Sequence, residues 1–312
     1  MRPHLRERLS TKLLGSLLVL VLGCGDDSVG ADAAVDARGM DAPRTDAPVD
    51  AGVDVDASDA DGSDADASMH DSGASIVLPT ANAMIDYQLG EAYPPPEGVT
   101  WVSRDRNAAP APGLYNVCYV NGFQTQPDER DFWETEHPDL LLRDAGGDVV
   151  IDPDWDEIIL DVTTAEKRAA LAEIVGGWIA GCADDGFDAI EIDNLDTYAR
   201  SDGLVSQDDA VAFMRMLSDR AHALGMAIAQ KNSTDVLVRA AEMATDFAIA
   251  EECNRYDECD AYQAVYGDRV YVIEYRDQDF DRGCADFPEL SIVRRDLNLV
   301  GPSSSAYRYD GC

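Results

Sequence analysis

The sequence predicts an α/β fold, a (β/α)8 barrel of the TIM type. Eight short apolar runs recur along residues 76–312, with helical patterns between several of them. Alternating strands and helices joined by right-handed crossovers favour a parallel sheet, and eight such strands favour closure. Polar residues follow most of the runs, where a barrel carries its active site. A doubly wound open sheet is the alternative, but the first strand lacks a Gly-rich phosphate loop.

Residues 1–23 predict a signal peptide. It begins with four basic residues: Arg2, Arg6, Arg8 and Lys12. The apolar run from Leu13 to Leu22 is too short to span a bilayer as a stable helix. The segment ending in Gly23-Cys24 resembles a bacterial lipobox, which implies cleavage before Cys24 and a lipid on its sulfur. We therefore expect an exported protein, lipid-anchored to the bacterial cell envelope. An ordinary secretory signal with an incidental cysteine is the alternative.

Residues 24–75 predict a disordered acidic tether. Asp and Ala dominate this stretch, and it contains no aromatic residue. Such a segment has too little apolar surface to offset the entropy of ordering, so it is expected to be extended. The remaining residues, 76–312, are enough for one barrel-sized domain.

The charge of the chain limits its partners. The formal net charge is −37, and it leaves −28 for residues 76–312 after the basic leader and acidic tether are set aside. So acidic a domain argues against nucleic acid and anionic lipid surfaces as partners. It is compatible with a cationic substrate, although solubility or life in salt explains it equally well. We expect a monomer that meets the membrane only through its N-terminal lipid.

Six cysteines remain in the folded part, and an even count in an exported chain predicts disulfides. The pairings considered are a local bridge Cys253–Cys259, a bridge from Cys284 to the C-terminal Cys312, and Cys118 with Cys182 either paired or left as buried thiols. Because the chain has isolated histidines and lacks a CxxC motif, we expect neither a metal site nor a cofactor.

The elements follow in a regular order. The predicted strands are Ile85–Gln88, Val99–Val102, Tyr115–Val120, Ala189–Ile192, Ala227–Ala229, Phe247–Ala250, Val270–Ile273 and Leu290–Val293. The clearest helical patterns are Thr164–Ala183, Ser206–Leu224 and Thr234–Ala244. Thr164 and Ser206 are typical N-caps, and Gly225 is a typical helix stop.

Polar side chains cluster at the ends of strands two to seven. They are Asp105, Tyr119, Asn121, Asp193, Asn194, Asp196, Lys231, Asn232, Glu251, Glu252, Glu274 and Tyr275. Each alone is explained by helix capping or ion pairing. Six such strand ends together exceed what stability requires, so we expect these side chains to converge on one mouth of the barrel.

Two opposed carboxylates suit glycoside hydrolysis, in which one attacks the anomeric carbon or activates water and the other protonates the departing oxygen. By position the best pair is Asp193 and Glu251. Lys231 lies between them on strand five, and we expect its charge to keep Asp193 ionised and leave Glu251 as the protonated partner. A divalent metal bound by Asp193, Asp196 and Glu251 is the alternative, which the nearby lysine opposes.

Several stretches also carry a family resemblance. They are Gly186-Phe187-Asp188, the run Asp193 to Tyr198, the run Ala227 to Asn232, the run Phe247 to Cys253, Tyr256 to Cys259, and Trp155 with Leu160-Asp161. These stretches resemble the motifs of glycoside hydrolase family 114, the endo-α-1,4-polygalactosaminidases and their relatives, over roughly residues 84–300. One departure is Ala250, where the family often has Asn.

The resemblance implies a TIM-type barrel that hydrolyses an α-1,4-linked galactosamine-rich polysaccharide. By match of position it implies Asp193 as nucleophile and Glu251 as acid/base. The residues implied to line the sugar subsites are Asp161, Asn194, Asp196, Tyr198, Lys231, Asn232 and Tyr275. To these, the strand-end positions add Asp105, Tyr119 and Glu274.

The leading hypothesis is therefore a surface-tethered glycoside hydrolase. Its substrate is a polysaccharide that is cationic when deacetylated, which suits the acidic domain. The alternative is a non-catalytic carbohydrate-binding lipoprotein that uses the same barrel mouth. An acidic structural surface protein, with neither binding nor a formed cleft, is a third hypothesis.

Overall fold

The structure is a computed structural model that describes residues 75–312. The predicted signal peptide, tether and lipidated Cys24 lie outside these residues. Within the described part, every helix is too short or too polar to cross a membrane.

Within residues 75–312, nine strands form one sheet, and the first eight are parallel and follow one another in chain order. They are β1 Ile85–Gln88, β2 Trp101–Asp105, β3 Tyr115–Asn121, β4 Ala189–Asp193, β5 Ala227–Lys231, β6 Phe247–Glu251, β7 Val270–Glu274 and β8 Ser291–Arg295. A last strand, β9 Tyr309–Gly311, pairs antiparallel with β8. The predicted TIM-type barrel and its eight strands are confirmed. A hairpin not predicted from the sequence, Ile151–Asp152 with Glu157–Ile158, follows β3.

The helices lie mainly between the strands. The α-helices are α1 Arg130–Glu136, α2 Ala165–Asp185, α3 Thr197–Arg200, α4 Gln207–Ala223, α5 Ala240–Met243, α6 Cys253–Tyr256, α7 Cys259–Tyr266 and α8 Asp277–Asp286. Two 3-10 helices span Pro138–Leu140 and Thr234–Arg239.

The predicted N-caps of α2 and α4 and the predicted glycine stop after α4 are confirmed. The side chains of Thr164 and Ser206 each accept a hydrogen bond from the backbone N–H three residues on. Gly225 lies just after α4 with a φ of 76°, a conformation that glycine adopts at little cost. The helix predicted over residues 234–244 is instead a 3-10 turn followed by the short α5. β-branched residues in its first half disfavour a regular α-helix.

Side chains join the two edges of the barrel, β1 and β8. Ser291 Oγ accepts a 2.8 Å hydrogen bond from the backbone N–H of Ala83. Arg295 Nη1 donates to Asp86 Oδ1 at 2.8 Å and also to the carbonyl oxygen of Tyr87. Both charged side chains are fully buried. This seam is therefore held by an ion pair inside the protein.

Aromatic side chains fill the barrel interior. Trp101 stacks on Tyr271 with ring centroids 5.0 Å apart, and Phe247 meets Tyr271 edge-on at 5.6 Å. A second apolar layer packs between the sheet and the helices. Because the interior is filled, a ligand site within the barrel itself is confined to the ends of the strands.

Three disulfides form in the described part, which confirms the expected pairings. They are Cys253–Cys259, Cys284–Cys312 and Cys118–Cys182. The last of these joins β3 to α2, so the option that left its cysteines as thiols is wrong.

Candidate active site

Three neighbouring strands bring three charged side chains together at their carboxyl ends. Asp193 ends β4, Lys231 ends β5 and Glu251 ends β6. Lys231 Nζ lies 3.2 Å from Asp193 Oδ1 and 3.2 Å from Glu251 Oε2. The lysine side chain is only 2% exposed, whereas the two carboxylates are 22% and 28% exposed. The ammonium group is thus a buried centre, and the carboxylates face the open mouth.

A third carboxylate, that of Glu191, lies beneath this pair. It stands two residues before Asp193, so strand alternation points it into the same barrel interior. Its Oε1 lies 3.1 Å from Lys231 Nζ and accepts a 2.5 Å hydrogen bond from the Tyr87 hydroxyl, while Ser103 Oγ donates to its Oε2 at 2.7 Å. Glu191 is fully buried, so it can position the lysine but cannot touch a sugar.

Further hydrogen-bond donors hold each of the two partly exposed carboxylates. Asp193 Oδ2 accepts a 2.8 Å hydrogen bond from the Tyr119 hydroxyl, and Glu251 Oε1 accepts one from the Tyr275 hydroxyl. Asn232 Nδ2 donates to Glu251 Oε2 at 3.3 Å, and its Oδ1 accepts from the Glu251 backbone N–H at 2.8 Å. Both carboxylates are therefore fixed in orientation before any ligand binds.

The electrostatics favour an ionised Asp193. Burial raises the pKa of Asp193, but the Lys231 charge and the hydrogen bonds from Tyr119 and the Asn194 backbone together bring it below its ordinary range. For Glu191, burial raises the pKa by more than the Lys231 charge and the hydrogen bonds from Tyr87 and Ser103 lower it, so the pKa stays above its ordinary value. Burial lowers the pKa of Lys231, but the surrounding carboxylates bring it well above its usual value, so the lysine stays charged.

The expectation that the charge of Lys231 keeps Asp193 ionised agrees with the lowered pKa of Asp193, and Glu251 as the protonated partner stays a prediction. The Lys231 nitrogen lies equally far from the two carboxylates. The reason is topological, since β5 lies between β4 and β6 and its last side chain reaches both neighbours. Lys231 is shared by the two carboxylates.

The shared lysine also limits the separation of the carboxylates. Asp193 Oδ1 and Glu251 Oε2 each lie 3.2 Å from the same nitrogen, so the two oxygens are at most twice that distance apart. Retaining glycosidases hold their carboxyl groups about 5–5.5 Å apart, whereas inverting enzymes need about 6.5–9.5 Å to admit water. The limit on this one pair of oxygens is compatible with the spacing of a retaining pair.

Asn194 and Asp196 support the loop that follows Asp193. Asn194 has a φ of 67° and donates through Nδ2 to Asn121 Oδ1 at 2.9 Å. Arg200 donates to Asn194 Oδ1 at 3.0 Å and to Asp196 Oδ1 at 2.7 Å. These predicted sugar-binding residues therefore lie beside the carboxylate pair but are engaged in holding its loop.

Two predicted residues lie at the rim of the mouth. Asp105 Oδ2 accepts a 3.1 Å hydrogen bond from Gln126, and Tyr198 donates its hydroxyl proton to Asp235 at 2.6 Å. Both side chains are partly exposed. They remain candidates for contact with a long polymer.

Two other predicted sugar-binding residues are corrected by the structure. The Asp161 carboxylate is occupied by Thr163 and Lys167 and organises the start of α2. Glu274 is fully buried and accepts from the Asn254 backbone N–H at 2.8 Å. Alternation explains its position, because its neighbours Ile273 and Tyr275 face the barrel interior, so Glu274 faces the helices.

Sequence reasoning missed some residues of the site. Tyr87 and Ser103 contact Glu191, and their positions on β1 and β2 follow from alternation along each strand. Glu157, whose Oε2 accepts a 2.9 Å hydrogen bond from Asn121, sits on a two-residue strand that leaves no periodic signal.

The barrel and its paired carboxylates are the architecture of a glycoside hydrolase. The family model of glycoside-hydrolase family GH114 matches residues 47–311, most of the chain. The chain belongs to this family, and the protein is a glycoside hydrolase.

Two solved structures are similar to the chain, and the first of them shows the same fold. Ega3 from Aspergillus fumigatus, in complex with galactosamine, is 21% identical, with a TM-score of 0.62 over 76% of this chain and 98% of that chain. The glycoside hydrolase domain of PelA from Pseudomonas aeruginosa is 14% identical, with a TM-score of 0.48 over 69% of this chain and 95% of that chain. No curated protein matches the chain in sequence.

Proposed function

We propose that this glycoside hydrolase cleaves an α-1,4-linked galactosamine-rich polysaccharide by a retaining mechanism. The observation that carries the proposal is the sharing of Lys231 by Asp193 and Glu251 at 3.2 Å each. This spacing suits a nucleophile and an acid/base on opposite sides of one glycosidic bond.

In the first step, Asp193 attacks the anomeric carbon and Glu251 gives its proton to the departing oxygen. Asp193 loses its negative charge on forming the ester, at the moment that Glu251 gains one. The shared ammonium of Lys231 therefore faces one ionised carboxylate before and after the step. In the second step, Glu251 takes a proton from water, which attacks the same carbon and releases Asp193.

Charge supports an amino-sugar polymer as substrate. Residues 76–312 carry a formal charge of −28. A deacetylated galactosamine polymer is cationic, and an acidic cleft attracts it over distances of roughly a Debye length. The galactosamine bound in the solved Ega3 structure motivates the choice of sugar.

We also propose that the protein works outside the cytoplasm, anchored through a lipid on Cys24. The basic start, short apolar run and terminal cysteine of residues 1–24 support this. Replacement of Cys24 by alanine is expected to release the protein from the membrane fraction of its host. Retention of the variant in that fraction would rule out the anchor.

The activity is tested by measuring reducing ends released from deacetylated and N-acetylated galactosamine polymers. Asp193→Asn and Glu251→Gln are expected to lower the rate by about 10³-fold or more, because each step needs both groups. Glu274→Gln is the matched control, since this acid also ends a strand but faces the helices. Wild-type protein that binds these polymers without releasing reducing ends would instead support the non-catalytic carbohydrate-binding alternative.

A further inference from the structure

The hairpin Ile151–Ile158 is fixed to the loop that follows the proposed nucleophile. Asp152 is fully buried, and its Oδ2 lies 2.9 Å from Arg200 Nε and accepts from Gln124 Nε2 at 3.1 Å. The same Arg200 contacts Asn194 and Asp196. The hairpin is therefore a fixed wall at one side of the barrel mouth.

Glu157 brings a carboxylate from this wall to the catalytic pair. Its Oε2 accepts a 2.9 Å hydrogen bond from Asn121 Nδ2, and Asn121 is the register partner of Asp193 across β3 and β4. The Glu157 side chain is partly exposed. Within the described residues, the structure gives Asn121 as its hydrogen-bond donor and leaves Oε1 without one.

The groups around Glu157 place more negative than positive charge near its carboxylate. The pKa of Glu157 is raised to about 7, because burial and the nearby carboxylates of Asp193 and Asp152 raise it more than the hydrogen bond from Asn121 and the charge of Arg200 lower it. Arg200, the cation that faces it, is already engaged by Asp152 and Asp196. A ligand that brings its own positive charge would relieve this deficit.

We propose that Glu157 is a substrate-binding residue that pairs with the ammonium group of an unacetylated amino sugar in the subsite beside Asp193. This rests on the proposed function. An ammonium group supplies both a positive charge and donors for Oε1, whereas an N-acetyl group is neutral and bulkier. Trp155, on the turn of the same hairpin, is 55% exposed and offers an apolar face to a sugar ring.

Glu157→Gln tests this assignment. The amide oxygen can still accept from Asn121, so the hairpin is preserved while the charge is removed. On deacetylated polymer we expect KM to rise roughly 10-fold with kcat within about twofold, because a charged pair is lost in binding. The preference for deacetylated over partly N-acetylated polymer is expected to fall by the same factor.

Asp156→Asn is the matched control. Asp156 lies on the same hairpin, is exposed, and has a φ of 60° that asparagine also tolerates. This variant is expected to behave as the wild type. Equal losses in both variants, or an unchanged KM for Glu157→Gln, would overturn the assignment.

A second measurement distinguishes a role of Glu157 in substrate binding from a purely structural role. In an Asp193→Asn background, calorimetry in buffers of different ionisation enthalpy measures proton release when a deacetylated oligosaccharide binds at pH 7. We expect release with Glu157 present and its loss with Glu157→Gln, since the bound ammonium ionises the carboxyl. The same proton release in both proteins would overturn the proposal. Wild type that releases no reducing ends from any galactosamine polymer would remove the proposed function itself.

Discussion

Two charge clusters in this barrel differ in their ratio of carboxylates to cations. The mouth cluster consists of Lys231, Glu191, Asp193 and Glu251, and the seam cluster consists of Arg295 and Asp86. In the mouth cluster one cation faces three carboxylates. In the seam cluster the cation pairs closely with one carboxylate, that of Asp86, while the Asp296 carboxylate lies farther off at 3.8 Å. The remaining donors of Arg295 reach backbone carbonyls of Tyr87, Val300 and Arg308.

The difference separates a structural ion pair from a functional one. A buried pair with matched charge and satisfied donors has one stable arrangement and holds two strands together. A cluster with more carboxyls than cations has several proton arrangements of similar energy, which acid/base chemistry requires. We therefore expect a substitution in the seam cluster to lower the stability of the protein, and a substitution in the mouth cluster to lower its catalytic rate.

The largest expected effect is at the seam. Arg295→Met leaves the buried Asp86 carboxylate without its cationic partner, so the free energy of unfolding is expected to fall by about 3–5 kcal/mol. Denaturant unfolding measures this. Arg294→Met is the control, because its partner Asp277 is 78% exposed and such a pair contributes under about 1 kcal/mol. A loss at Arg295 no larger than at Arg294 would show that the seam pair does not hold the barrel.

Lys231→Met is expected to act mainly on catalysis. Without the ammonium, the pKa of Asp193 rises, and the acid limb of the kcat/KM profile is expected to move up by about 1–3 pH units. The maximal rate is expected to fall by about 10²-fold, because the nucleophile loses its charge partner. An acid limb that stays in place would mean that Lys231 does not keep Asp193 ionised.

Much of this arrangement could be predicted from the sequence. Buried parallel strands are continuous apolar runs, so each predicted strand forms, and the polar residue that ends it is identified at once. That reasoning found Asp193, Lys231 and Glu251. Strict use of alternation would also have turned Glu274 away from the mouth.

The rest depends on closure of the barrel. Arg295 and Asp86 are 209 residues apart, and their pairing follows only once β8 returns to β1. Sharing of Lys231 by two carboxylates likewise depends on distances between neighbouring strands. Glu157 was missed because strands of two residues have no detectable period.

The smallest expected effect is on the pH dependence of stability, through Glu191, the third carboxyl group of the mouth cluster. Glu191 has a raised pKa, so the folded protein holds a proton that the unfolded chain releases above about pH 4.5. The free energy of unfolding therefore falls as pH rises from there. Glu191→Gln keeps acceptors for Tyr87 and Lys231 and can donate to Ser103, so it is expected to flatten this decline.

At pH 7 Glu191→Gln is expected to be more stable than the wild type by on the order of 1 kcal/mol, and near pH 4 equal to it. Urea unfolding across this range checks the slope. A slope as steep as that of the wild type would show that Glu191 is not the residue that carries the excess proton.

The anomeric configuration of the first product decides whether Asp193 and Glu251 act as a retaining pair around Lys231. Proton NMR during the first minutes of hydrolysis of an α-linked galactosamine polymer follows the new reducing end before mutarotation. We expect the α-anomer to form first, since two inversions at one carbon restore its configuration. Initial formation of the β-anomer would contradict the retaining pair.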